Sequence, residues 1–440
     1  MKRILLILLA VIPLHNAAQR LQQAMDRSVV AVHRGTNVTV TWRKLIQDPD
    51  SCTYNLFIRN VGGSDYTKVN ASPLKGTNLV SNLSVIPYNS ELSVSTVNKD
   101  GTENVKSAPF LFKQQTYNNA FVDINFETKV LTPDKYRASY VWPADLNGDG
   151  LMNEYVVDRK YRDSIATDNK NSMLQAYSAD GTCLWTVDMG PNVNIDTGQN
   201  DMVEVYDINC DGKAEVMVKS SDGTRFWNSS TKDWGTYVFG KTIPDIDNDG
   251  ITDYTVSGLK RNPPFYISVI NGMTGEEMVS SELDYSQVHD GADQYTRDNR
   301  ADYMGDDYYT MGGHFAICYF DGIHPSLVME CLDRTKSDQV HHNYVFAFGY
   351  DWNGNTPSNF HHYYTWSRND KTPWPAEFHQ LRVCDVDGNG IDEMLQGGYG
   401  VNAKEGMVFT AGIGPGDRLR ARDIHPHRPP PATPALPHSP

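Results

Sequence analysis

The chain has 440 residues, 39% of them hydrophobic, and a formal net charge of -15. That length allows two or three domains. The acidic balance leaves no basic footprint for a nucleic-acid partner. Six cysteines, at 52, 183, 210, 318, 331 and 384, include no CxxC pair, which argues against a zinc or redox motif.

Residues 1–18 read as an export signal. Lys2 and Arg3 give the positive start, Ile4 to Leu14 the apolar run, and Asn16-Ala17-Ala18 a small-residue cleavage site. The run is too short to span a bilayer, and no later stretch is long and apolar enough. No Cys at the cleavage site offers a bacterial-type lipid anchor. The expectation is an exported monomer without a transmembrane segment, held in the periplasm, on the cell surface or secreted.

Residues 27–113 carry Val38-Thr-Val-Thr-Trp42, Tyr54-Asn-Leu-Phe-Ile58 and Leu92-Ser-Val-Ser-Thr-Val97. These alternate like strands, and no helical period intervenes. About ninety residues with a Trp in an early strand suggest a fibronectin-III-like β-sandwich serving as a packing module.

From 117 to 414 the chain repeats a unit of strand, acidic loop and strand. Four loops share one pattern: Asp145-Leu-Asn147-Gly-Asp149-Gly150, Asp207-Ile-Asn209-Cys-Asp211-Gly212, Asp245-Ile-Asp247-Asn-Asp249-Gly250 and Asp385-Val-Asp387-Gly-Asn389-Gly390. Three residues after each glycine stands a further oxygen group: Asn153 (with Glu154 next), Glu215, Asp253 and Glu393. Hard cations such as calcium take six to eight oxygens at short range, and alternate residues of a tight loop can supply them. The glycine permits the sharp turn. An EF-hand closes at position twelve between helices; these loops close at position nine between strands such as Met202–Tyr206 and Glu215–Lys219. The plainer reading is an Asx-rich turn without metal, but four copies at one spacing point to several bound calcium ions.

Hairpin signals recur at Ser178-Ala-Asp-Gly181, Asn271-Gly-Met-Thr-Gly275 and Asp351-Trp-Asn-Gly354. Short strands at repeated spacing imply an all-β fold, a calcium-stabilised β-propeller with insertions between blades. From Pro415 the strand pattern gives way to Arg- and Pro-rich sequence through Pro440, which is expected to be disordered. At roughly 45 residues per blade, 117–414 holds about six or seven blades, so the propeller is expected to be incomplete through truncation or a frame change.

The run Val205-Tyr-Asp-Ile-Asn-Cys-Asp-Gly-Lys-Ala-Glu-Val-Met-Val-Lys-Ser-Ser-Asp-Gly-Thr224 resembles a blade of the family-11 rhamnogalacturonan lyases. Other pieces are similar in the same order: Val30–Gly35 and Val40–Arg43 in the first unit, then Asp145–Arg159, Pro264–Gly275, His324–Met329 and His379–Gly388. The resemblance implies an eight-bladed propeller behind a small β-domain. It also implies calcium-dependent β-elimination in the rhamnose–galacturonate backbone of pectin (rhamnogalacturonan I). It suggests Arg334 and Lys336 as base or uronate clamp, Asp168 and Asn169 as sugar contacts, and His379 at a metal position. Three stretches depart from the family pattern: Asp196–Asp201, Cys331–Ser337 and the sequence past Asp417. They leave open a non-catalytic carbohydrate-binding propeller, or an inactive fragment of a lyase.

Overall fold

The computed structural model describes residues 20–45, 48–114, 123–127, 136–161, 171–193, 202–256, 259–260, 263–283, 310–334, 341–367, 381–396, 398–403 and 405–410. Residues 1–18, expected to act as an export signal, and 415–440, expected to form a disordered tail, lie outside them. Apart from a 3-10 turn at Val238–Gly240, the regular elements are all strands. Among the described residues, no helix is long and apolar enough to cross a membrane.

The first unit contains β1 (Val30–Arg34), β2 (Asn37–Thr41), β3 (Thr53–Asn60), β4 (Thr67–Lys68), β5 (Asn78–Asn82), β6 (Ser90–Val97) and β7 (Phe110–Phe112). They form two sheets, ordered β1-β2-β5 and β4-β3-β6-β7. Alternation turns Ala31, Val38 and Val40 inward, where they meet Leu56, Leu92, Val94 and Phe112 of the other sheet. Trp42, just past β2, is buried edge-on against Tyr54, with ring centroids 5.7 Å apart. Arg27 grips Asp48 with two hydrogen bonds of 2.7 Å and ties down the entry to this unit.

The second part holds four four-stranded antiparallel meanders. The first is β8 (Tyr136–Ala144), β9 (Glu154–Tyr161), β10 (Met173–Tyr177) and β11 (Cys183–Asp188). The second starts with β12 (Val203–Tyr206) and β13 (Glu215–Ser221). A long excursion then carries β14 (Arg225–Asn228), β15 (Asp233–Tyr237), β16 (Thr255–Val256) and β17 (Leu259–Lys260), before β18 (Phe265–Ile270) and β19 (Glu277–Glu282) complete it. The third is β20 (Thr310–Cys318), β21 (Ser326–Arg334), β22 (His341–Asn353) and β23 (Thr356–Ser367). The fourth is β24 (Leu381–Cys384), β25 (Glu393–Gln396), β26 (Tyr399–Asn402) and β27 (Gly406–Thr410).

The first strands of consecutive meanders are neighbours: β8 beside β12, β12 beside β20, β20 beside β24. The sheets therefore stack face to face, and their middle strands are covered on both sides. This explains why β10, β13, β18 and β25 are buried at every position rather than alternately. One core spans the first three meanders and a second joins the third to the fourth. The excursion is not idle. β14 pairs with β11, Asp188 opposite Arg225, so a hairpin from the second meander extends the outer edge of the first. That covers an edge which would otherwise offer unpaired backbone groups.

Contact between the first two meanders centres on Trp185. Its side chain is fully buried, and its indole N–H donates to the carbonyl of Gly272 at 2.7 Å. The hairpin around Gly272 and Gly275 fits over it only because those residues lack side chains. A Cβ at Gly272 would lie 2.1 Å from the Ala214 carbonyl oxygen, and one at Gly275 would lie 2.6 Å from the indole ring.

Candidate metal loops and the opposite face

Three of the four acidic loops occupy the same place in their meanders, the turn from first to second strand. In each, the leading Asp folds the loop around itself. Asp145 accepts the N–H groups of Gly148, Asp149 and Gly150 at 2.8, 2.9 and 2.8 Å. Asp207 accepts those of Asp211 and Gly212, both at 2.9 Å. Asp385 accepts those of Gly388, Asn389 and Gly390 at 2.7, 3.0 and 2.8 Å. The closing glutamates bond back in one common way. Glu215 accepts from the Ile208 N–H at 3.2 Å, Glu393 from the Val386 N–H at 2.8 Å, and Glu154 from the Leu146 N–H at 3.1 Å.

The last contact corrects the sequence reading of the first loop. Glu154, not Asn153, takes the place held by Glu215 and Glu393. One extra residue separates Gly150 from its closing group, and the Asn153 amide oxygen is buried without a hydrogen-bond partner. A carboxylate is the better oxygen donor for a hard cation. Glu154→Gln should therefore lower the calcium-dependent rise in melting temperature, and Asn153→Ala should leave that rise unchanged. Thermal melts with and without calcium check both.

Electrostatics of the loops suit a cation. Asp145, Glu154, Asp207, Glu215 and Glu393 are buried. None of these carboxylates has a Lys or Arg ion-pair partner among the described residues. Burial, reinforced by Asp211 and Asp207, pushes the Glu215 carboxyl up to about 9. Burial likewise raises Glu154 to about 7 and Asp207 to about 6. Such clustered, uncompensated carboxylates are costly without a positive charge. In the fourth loop, ligand oxygens of Asp385, Asp387 and Glu393 lie within 4.8 Å of one another. Asn147 and Asn209 complete the oxygen sets of the first two loops, their amide groups already bonded to Glu154 and Glu215. The residues present fit calcium.

The three loops share one side of the molecule and touch in sequence. The Ala214 N–H donates to the Asp145 carbonyl at 2.9 Å. Tyr206 and Tyr319 share a hydroxyl contact of 2.7 Å, and the Tyr319 N–H reaches Asp392 at 3.0 Å. Residues 20–26 run across all of them. Arg20 pairs with Asp392 at 2.8 Å, and the Leu21 N–H donates to the Ile323 carbonyl at 2.8 Å. Gln23 reaches the Asp145 carbonyl at 3.1 Å, and the Asp26 N–H that of Gly150 at 2.8 Å. Cys210 faces the same segment, its thiol 3.7 Å from the Leu21 carbonyl. The described cysteines, 52, 183, 210, 318 and 384, are all free thiols.

The third loop differs. It lies in the excursion after β13, which leaves from the opposite end of that strand. Asp245 accepts the Gly250 N–H at 2.9 Å, and Asp245, Asp247 and Asp249 gather oxygens within 4.8 Å. Asp253 is not part of that cluster, and the loop is largely solvent-facing.

At this opposite end β9, β13 and β21 finish. Arg334 is the last residue of β21. Lys336, Asp168, Asn169 and His379 lie outside the described residues. A polar knot caps β13 there: Asp222 accepts hydroxyl hydrogen bonds from Tyr254 and from Tyr266, the latter at 2.8 Å. Lys241 in turn donates to the Tyr266 hydroxyl at 3.2 Å. Sequence reading missed this knot, because its members lie up to 44 positions apart.

The result is an all-β chain of stacked meanders, with buried acidic loops that could hold a metal along one side and polar groups at the other. Residues 124–432 match the C-terminal domain of rhamnogalacturonan lyase family 11, and residues 20–110 match the beta-sheet domain of rhamnogalacturonan I lyases. The chain belongs to rhamnogalacturonan lyase family 11. The match continues past 415, where the strand pattern was expected to stop.

Among curated relatives, rhamnogalacturonan endolyase YesW of Bacillus subtilis (strain 168) is 29% identical over 429 residues, covering 94% of this chain and 61% of YesW. Rhamnogalacturonan exolyase YesX of the same strain is 27% identical and covers 93% and 61%. The chain thus spans about three fifths of the length of these relatives. The crystal structure of YesW superposes with a TM-score of 0.66 at 26% identity, over 94% of this chain and 64% of that one. A Bacillus licheniformis rhamnogalacturonan lyase gives a TM-score of 0.66 at 24% identity, which supports the fold alone.

Proposed function

We propose that the protein is an exported lyase that cleaves the rhamnose–galacturonate backbone of rhamnogalacturonan I by calcium-dependent β-elimination. The observation that carries this reading is the family match along both parts of the chain, in the order the relatives have them. In this reaction a base removes the proton from C5 of a galacturonate, the 4-linked sugar leaves, and an unsaturated uronide remains. Arg334, the last residue of β21, and Lys336, two positions further along the sequence, are our candidates for base or carboxylate clamp. Asp168 and Asn169 are candidates for sugar contact, and His379 for a further metal ligand.

Calcium, held by Asp145, Asn147, Asp149 and Glu154, by Asp207, Asn209, Asp211 and Glu215, by Asp245, Asp247, Asp249 and Asp253, and by Asp385, Asp387, Asn389 and Glu393, would neutralise the loops and stiffen the turns. We read the four meanders as consecutive blades of a propeller. The side-by-side first strands and doubly covered middle strands support that reading. The 3 + 4 strand order of residues 30–112 supports a fibronectin-III-like sandwich in front of it.

Product chemistry tests the reaction class. Digestion of rhamnogalacturonan I should yield oligosaccharides with an unsaturated galacturonate at the new non-reducing end, seen by mass spectrometry. Saturated hydrolysis products would contradict the elimination. Tight binding without any product would favour the carbohydrate-binding alternative.

A further inference from the structure

The excursion between β13 and β18 holds an exposed ring in a costly backbone conformation. Phe239 has φ 48° and ψ 21°, the left-handed region that side chains with a Cβ avoid. The residue is nevertheless 49% exposed, its ring meeting only that of Tyr266 among the described rings, edge-on with centroids 4.9 Å apart, so burial does not repay the strain. Both flanks fasten it there. The N–H of buried Val238 donates to the Thr224 carbonyl at 3.0 Å, and the Lys241 N–H to the Val238 carbonyl at 2.8 Å. Strain held in place by surrounding structure is a feature of ligand clamps.

Lys241 stands beside it. The ammonium lies 5.9 Å from the Phe239 ring and donates one hydrogen bond to the Tyr266 hydroxyl. Tyr266 spends its own proton on Asp222, and Tyr254 occupies the other Asp222 oxygen. Lys241 therefore has no carboxylate partner among the described residues. An ammonium has three donors, so two remain for an incoming anion. Ring and cation sit at the same open end as Arg334, the side away from the three buried acidic loops.

We propose that Phe239 and Lys241 form a uronate subsite, in which a galacturonate unit of the polymer lays its sugar face on the Phe239 ring and its carboxylate on the Lys241 ammonium. The assignment rests on the lyase reading above. It joins an apolar pyranose face, which glycans share, with the regularly spaced carboxylate that sets this polymer apart from a neutral glycan.

The test is calorimetric binding of rhamnogalacturonan I oligosaccharides to the full chain, with native and carboxyl-reduced ligand. Loss of one charge-assisted contact corresponds to about tenfold in affinity. Lys241→Met should bind native ligand about tenfold more weakly than wild type and should no longer distinguish it from the reduced one. Lys241→Arg should restore most of the difference. Phe239→Gly should weaken binding of both ligands. Its melting temperature should be unchanged or higher, because glycine adopts this backbone without strain. Wild-type affinity in both Lys241→Met and Phe239→Gly would overturn the subsite alone. A wild-type chain that neither binds nor cleaves the native oligosaccharide would overturn the lyase reading together with the subsite.

Discussion

Stripping calcium from the protein should lower its melting temperature by roughly 5 °C or more, and restoring calcium should reverse the loss. The size follows from linkage: a site held at 100 times its Kd contributes about 2.7 kcal/mol, and three loops of this kind form the turns between the first and second strands of their meanders. The variant Glu215→Gln gives the sharper form of this result. Glu215 is 2% exposed, and its carboxylate shares the loop with Asp207 and Asp211. With calcium present the charge is compensated, so its removal should destabilise. With chelator present the raised Glu215 carboxyl is protonated near neutral pH, so its replacement by the neutral, nearly isosteric glutamine should cost little or nothing. The loss caused by Glu215→Gln should therefore be large in calcium and small in chelator. A Glu215→Gln variant less stable than wild type by the same amount in both conditions would mean that the glutamate acts only as a hydrogen-bond acceptor.

The second large effect is expected at Trp185. Trp185→Ala should cost about 4 kcal/mol, as large-to-small substitutions of buried aromatic residues do. Two terms act together. The indole volume is lost beneath a hairpin that cannot collapse into it, since a backbone closely packed on Ala214 holds Gly272. The Gly272 carbonyl also loses its 2.7 Å donor in a buried place. Trp185→Phe keeps most of the volume and removes the donor, so it should cost less than half as much. Urea midpoints for the three proteins measure both terms. Equal midpoints for wild type and Trp185→Ala would show that the first two meanders do not depend on this contact.

Part of this architecture is legible in the sequence, and the physics explains which part. The acidic loops are local: every ligand type lies within ten residues of the leading Asp, so spacing alone exposes them. The strand flanks of β12 also read correctly, since Val203 and Val205 turn inward by alternation. β13 also read correctly as a strand, but its burial did not, because sheets on both faces bury even Lys219 and erase the period of two. Glu154 was displaced by one residue, since regular spacing was imposed on a loop that carries an insertion. The β14–β15 hairpin, the clasp of residues 20–26 and the knot of Asp222 with Tyr254 and Tyr266 were invisible. Each depends on partners tens to hundreds of positions away, and the clasp works largely through main-chain groups that carry no sequence signature. Phe239 was missed for another reason: nothing in a Phe codes for positive φ.

The most direct single measurement follows ultraviolet absorbance of unsaturated uronide while the protein digests rhamnogalacturonan I in calcium, then in excess chelator, then with calcium restored. The account predicts a rise, its arrest, and its return. A trace that stays flat throughout, from protein that melts cooperatively in calcium, would contradict the lyase reading. A rise indifferent to chelator would contradict the role given to the acidic loops.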